Sequence, residues 1–148
     1  MPEEYRNIYK TARRAAGLTQ EAAAEKLGIS VESIRAYEND LRVPTNDVVQ
    51  LMCICYNAQH LAYQHLSENN VLMNRVVPQL EQRSVLEVAV RIHNRLNRFA
   101  KDHKVEQLME IAEDGRIDEE ERKLFDEIMG DLREIVKSGL ELEVFCKE

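Results

Sequence analysis

The sequence of 148 residues has no tryptophan, five glycines, three prolines and three cysteines, and only 5% of it is aromatic. So few turn-forming residues, set against 44% hydrophobic and 32% charged residues, exclude a sheet-rich sandwich, a fibrous repeat and a disordered chain. No apolar run approaches the roughly 20 residues that a membrane span requires. The opening Met1-Pro2-Glu3-Glu4-Tyr5-Arg6 has neither the basic segment nor the apolar stretch of a secretory signal. Cys53, Cys55 and Cys146 make an odd count, and Cys53 and Cys55 stand too close in one helical pattern for an ordinary disulfide. A reduced, cytoplasmic setting is expected. The length fits one ordinary domain or two small ones and excludes a large multidomain enzyme.

What is present is helical and unevenly charged. Ala, Leu, Glu, Arg and Ile recur at helical spacing, so the expected class is all-α. The net charge is -7, with seven Lys/Arg and eight Asp/Glu up to residue 66 and thirteen and nineteen thereafter. An acidic second half is repelled by phosphates, so any nucleic-acid contact falls to the first half and its local cations.

The spacing predicts a first helix over Tyr5 to Ala16, stopped by Gly17, and a second capped by Thr19 that runs to Gly28. Ser30 caps a third, with Ile34 and Tyr37 on its rear face. Two short helices joined by a three-residue turn containing glycine form a helix-turn-helix. After Pro44, Thr45 or Asn46 caps an apolar fourth helix, and Ala58 to Leu66 gives a fifth with Leu61, Ala62 and Leu66 inward. Residues 67–83 lack a clean period and read as a linker, which leaves domains at 1–66 and 84–148. In the second, Val85, Ala89, Ile92, Leu96 and Phe99 form one apolar stripe and Phe125, Ile128, Leu132 and Ile135 another. Gly115 supplies the turn between them and Asp118 caps the second arm, which makes a long antiparallel helical hairpin. Ser138-Gly139 is expected to end it, and the alternating Leu140-Glu141-Leu142-Glu143-Val144 is compatible with a short extended tail.

Gly17-Leu18-Thr19-Gln20, Ala24, Leu27, Gly28-Ile29-Ser30, Ile34, Tyr37-Glu38-Asn39, Arg42 and Pro44 together resemble the lambdoid repressor and Cro-type helix-turn-helix of the XRE family, over roughly 60 residues. That resemblance implies phosphate contacts from Gln20, Asn39 and Arg42, and a structural pair between Arg13 and Glu38. It implies base reading by Val31, Glu32, Arg35 and the neighbouring Ala36 at the outward start of helix three. Arg35 suits guanine, Val31 a thymine methyl and Glu32 the cytosine amino group. Helix three carries no Gln or Lys and the module is not net basic; Arg6, Lys10, Arg14 and Lys26 add positive charge locally. The acidic C-terminal stretch resembles the helical hairpin of repressor-like regulators of prophages and mobile elements.

Other chemistries fail on their residues. Asp114, Gly115, Ile117, Asp118 and Glu121 match the second half of a calcium loop, but Glu110 and Ala112 spoil the first half. Cys53 and Cys55 with His60 and His65 offer zinc-ligand types, yet the two cysteines diverge on a helix. His93 and His103 are isolated, and no nucleophile stands beside a fitted base. No metal, cofactor or enzymatic step is therefore expected. A two-helix hairpin cannot bury both apolar stripes alone, so it needs either the first domain or a second copy. The expectation is a homodimeric regulator of double-stranded DNA, a repressor on a palindromic operator. The alternative is an antitoxin-like or regulatory interaction module whose acidic hairpin, 84–148, binds another protein.

Overall fold

A computed structural model describes residues 6–147; the predicted helix start at Tyr5 lies outside them. The described residues form nine helices in two compact units, which divide between Val76 and Val77.

The first unit holds α1 (Ile8–Ala15), α2 (Gln20–Leu27), α3 (Val31–Glu38), α4 (Asn46–Cys55), α5 (His60–Asn69) and the single turn α6 (Met73–Val76). Side-chain oxygens set the starts. Asn7, Thr19, Ser30 and Thr45 each accept a backbone N–H in the first turn of α1, α2, α3 and α4. Gly28 ends α2 in the left-handed region at φ 69°, which costs glycine little and an L side chain more. Ile8, Ala12, Ala23, Ala24, Leu27, Ile34, Tyr37, Val49, Met52 and Leu61 form the core. α4 buries Val49, Met52 and Cys53 in that core and turns Leu51 and Ile54 outward. One expectation is corrected. On α5, Ala62 is exposed and His65 takes the inward place.

His65 tolerates burial because both ring nitrogens are satisfied. Nδ1 meets the Tyr9 hydroxyl at 2.7 Å and Nε2 meets Asn46 Oδ1 at 3.0 Å. If Tyr9 donates, Nε2–H donates to Asn46, and the ring is neutral. Burial lowers the His65 pKa and pushes the Tyr9 hydroxyl up to about 12. This network joins α1, α4 and α5.

The second unit holds α7 (Val85–Lys101), α8 (Lys104–Ala112) and α9 (Glu119–Phe145). Capping boxes open its two long helices, Ser84 with Glu87 and Asp118 with Glu121. Arg83 pairs with Glu141, Arg95 with Glu134 and Lys104 with Glu127, so partners descend along α9 as α7 ascends. That is the antiparallel hairpin. Its connection is more elaborate than a turn, because the first arm breaks at Asp102-His103, where His103 adopts φ 53°, and α8 follows. Phe99, Ile111 and Ile128 make the core, with Leu108, Ile117, Leu124, Phe125, Leu132 and Ile135 around it. The helix end expected at Ser138-Gly139 is also corrected. α9 runs on to Phe145, since Ser138 and Glu141 are buried on its inner face and Arg83 Nε donates to Glu141 Oε2 at 3.1 Å. No helix among the described residues is long and apolar enough to cross a membrane.

Candidate nucleic-acid interface

The face that could meet a duplex is built on α2 and α3, and a buried ion pair fixes its frame. Arg13 on α1 and Glu38 at the end of α3 are 6% and 5% exposed. Arg13 Nε donates to Glu38 Oε1 at 2.6 Å and Nη2 to Oε2 at 3.0 Å, while Nη1 donates to the Leu18 carbonyl at 2.6 Å. The fork therefore holds α1, the α1–α2 turn and α3 in one geometry. Burial disfavours the Glu38 charge, but the hydrogen bonds from Arg13 and Gln20 outweigh it and hold the carboxyl below its ordinary value. The same contact raises the Arg13 pKa.

From this pair the network reaches the surface. Gln20 Nε2 donates to Glu38 Oε2 at 2.9 Å, which turns the amide oxygen outward. Arg35 Nε lies 3.5 Å from that oxygen, and Arg35 Nη2 is 3.8 Å from Glu21 Oε1. The Arg35 side chain is 52% exposed, so its guanidinium is guided but not enclosed. Ile34 and Tyr37 sit beneath it at 1% and 7% exposure. Glu32 is exposed beside Arg35, and Val31 and Ala36 are half-buried.

The loop after α3 is ordered by its own contacts. Arg42 Nη2 donates to Ser33 Oγ at 2.6 Å, and its guanidinium stacks 4.9 Å from the centre of the Tyr37 ring. Asn39, the C-cap of α3, is exposed. Asn7 Nδ2 donates to the Tyr37 carbonyl at 2.8 Å and ties α1 to the same corner.

The structure thus gathers Gln20, Glu32, Arg35, Asn39 and Arg42 on or beside α3, with Val31 partly covered and Arg13–Glu38 beneath. Sequence reasoning missed the coupling of Gln20 to Arg35 and the anchoring of Arg42 on Ser33. Gln20 and Arg35 are fifteen residues apart on different helices, so no periodicity connects them. Among the described residues no group of three or more His, Cys, Asp or Glu side chains is placed to hold a metal ion.

Comparison with known proteins agrees with this geometry. A helix-turn-helix family model matches residues 10–62. The chain is 30% identical over 115 residues to the HTH-type transcriptional regulator ImmR of Bacillus subtilis, across 78% of this chain and 80% of that protein. No solved structure matches it.

Proposed function

The chain belongs to the XRE-type helix-turn-helix family, and on that premise we propose that this DNA-binding transcriptional regulator is a cytoplasmic repressor that acts as a homodimer on a near-palindromic operator in double-stranded DNA. The observation that carries the reading is the outward, pre-aimed Arg35 on a helix whose rear face is locked into the core. A recognition helix must present its first two turns to the major groove without moving on its scaffold. The Arg13–Glu38–Gln20 chain of hydrogen bonds supports that rigidity.

Within this reading Arg35 donates to guanine O6 and N7, Val31 touches a thymine methyl and Glu32 accepts from a cytosine amino group. Gln20, Asn39 and Arg42 hold the backbone phosphates. Two copies present two such helices to successive major grooves about 34 Å apart, and occupancy blocks transcription by exclusion.

The test is a pair of variants titrated against operator and mutated operators. Arg35→Ala should blunt preference at one base pair by about 1–3 kcal/mol, while Gln20→Ala should weaken binding to every duplex similarly. Unchanged affinity in both variants would show that another face binds the DNA.

A further inference from the structure

The exposed Arg42 follows α3 in the chain and is tied back onto that helix at three levels. The loop reverses at Asp40, which takes φ 58°, and Asn7 Nδ2 donates to Asp40 Oδ1 at 3.0 Å. The Leu41 and Arg42 backbone N–H groups then both donate to the Ala36 carbonyl, at 2.9 and 3.3 Å. The Arg42 guanidinium lies over the Tyr37 ring, and its Nη2 reaches Ser33 Oγ at 2.6 Å. Ser33 Oγ also accepts from Ser30 Oγ at 3.0 Å, while Ser30 Oγ accepts the Ser33 N–H at 3.1 Å as the cap of α3. The guanidinium is thus held against the first turn of the helix.

Its side of the helix matters. Ser33 and Arg35 are two positions apart, so their side chains leave α3 about 200° from each other. Gln20 and Glu21 approach α3 on the Arg35 side, and Arg42 approaches on the other. A helix seated in a major groove about 12 Å wide has phosphates along both flanks. Arg42 occupies the flank that α2 does not supply. Among the described residues its side-chain hydrogen bonds all come from Nη2, so Nε and Nη1 keep their N–H donors for a phosphate oxygen. The bond to Ser33 lies at the surface, where water competes for both partners, and it adds little to stability. What it adds is orientation. An arginine that is already held loses less rotamer freedom when it meets a phosphate.

We propose that Ser33 is a positioning residue for DNA binding: its hydroxyl holds the Arg42 guanidinium ready for a backbone phosphate on the flank of α3 remote from α2. The proposal rests on the assignment of Arg42 to a phosphate, above, and adds the residue that aims it. Because Ser33 acts through Arg42, its hydroxyl matters only while the arginine is present.

Fluorescence anisotropy of the full chain on a random-sequence duplex, from low salt upward, tests this, since a phosphate contact carries no sequence information. Ser33→Ala should weaken binding at least about threefold. The slope of log affinity against log salt should stay unchanged, because no charge is removed. The melting temperature should hold or rise, because alanine is the better helix former and the Ser30 cap bonds the backbone of residue 33, which the variant keeps. Arg42→Ala should weaken binding and reduce the salt slope by about one for each copy bound. In that background Ser33→Ala should have no further effect. Wild-type affinity in Ser33→Ala, or an equal loss with and without Arg42, overturns the positioning role and leaves Arg42 on its phosphate. Wild-type affinity and salt slope in Arg42→Ala overturn the phosphate assignment and the proposal with it.

Discussion

Removing the guanidinium from the buried pair tests the scaffold beneath the proposed reading face. In Arg13→Leu, Glu38 keeps a carboxylate that is 5% exposed and loses both bonds from Arg13, so that Gln20 is its remaining side-chain donor. A buried charge deprived of its partner costs about 3–5 kcal/mol, a large share of the roughly 5–15 kcal/mol that stabilises a whole domain. For a unit of this size that lowers the melting temperature by about 12 °C or more. Arg13→Leu/Glu38→Leu removes the orphaned charge and should recover most of the loss, giving a coupling of about 2–3 kcal/mol. All five tyrosines lie before residue 64 and there is no tryptophan, so tyrosine fluorescence during urea unfolding reports on the first unit. The pH dependence supplies a second sign. In the wild type the Glu38 pKa is lowered on folding, so its contribution is present above the ordinary carboxylate value of 4.5 and fades as pH falls below it. In Arg13→Leu burial dominates and raises that pKa, so the variant gains relative to wild type on acidification from pH 7 toward 4.5. A single variant that costs under about 1 kcal/mol, or a gap independent of pH, would refute the argument.

Two further predictions concern the same unit. Because burial lowers the His65 pKa, the neutral ring stabilises the fold above the ordinary histidine value of 6.5, and that contribution fades as pH falls through 6.5 toward the folded-state value; thermal melts between pH 7.5 and 5 should show the slope, and Tyr9→Phe should add a loss of about 1 kcal/mol by leaving Nδ1 with the longer 3.5 Å contact from Asn69 Nδ2 in place of the 2.7 Å bond. Gly28→Ala should cost about 1–2 kcal/mol in urea unfolding, because φ is 69° while no atom lies within 4 Å of the added methyl, so the strain is conformational alone.

Local signals made much of the fold legible. Thr19, Ser30, Thr45 and Asp118 cap helices where a side-chain oxygen precedes an apolar period, and Gly17, Gly28 and Gly115 take the positive φ that their turns require. What stayed hidden depends on distant partners. Leu140-Glu141-Leu142 alternates like a strand, yet it is helix because Glu141 is buried against Arg83, 58 residues away. The break at His103 carries neither glycine nor proline. In the site, helical geometry separates Arg35 from Ile34 and Tyr37, but the orientation of the Gln20 amide follows from Glu38 and could not be read from spacing. The α7 stripe shows the limit of periodicity, which identifies apolar faces without saying which of them the same chain covers. Val85, Ala89 and Leu96 match the period of Phe99 and remain exposed.

Sequence-selective DNA binding through α3 can be measured on the intact protein. Fluorescence anisotropy with duplex from upstream of the protein's own gene, at two salt concentrations and with random duplex as competitor, tests it most directly. A protein that reads bases through Arg35 should prefer one site by about a thousandfold or more, with affinity falling steeply as salt rises. Weak binding equal on both duplexes would contradict it.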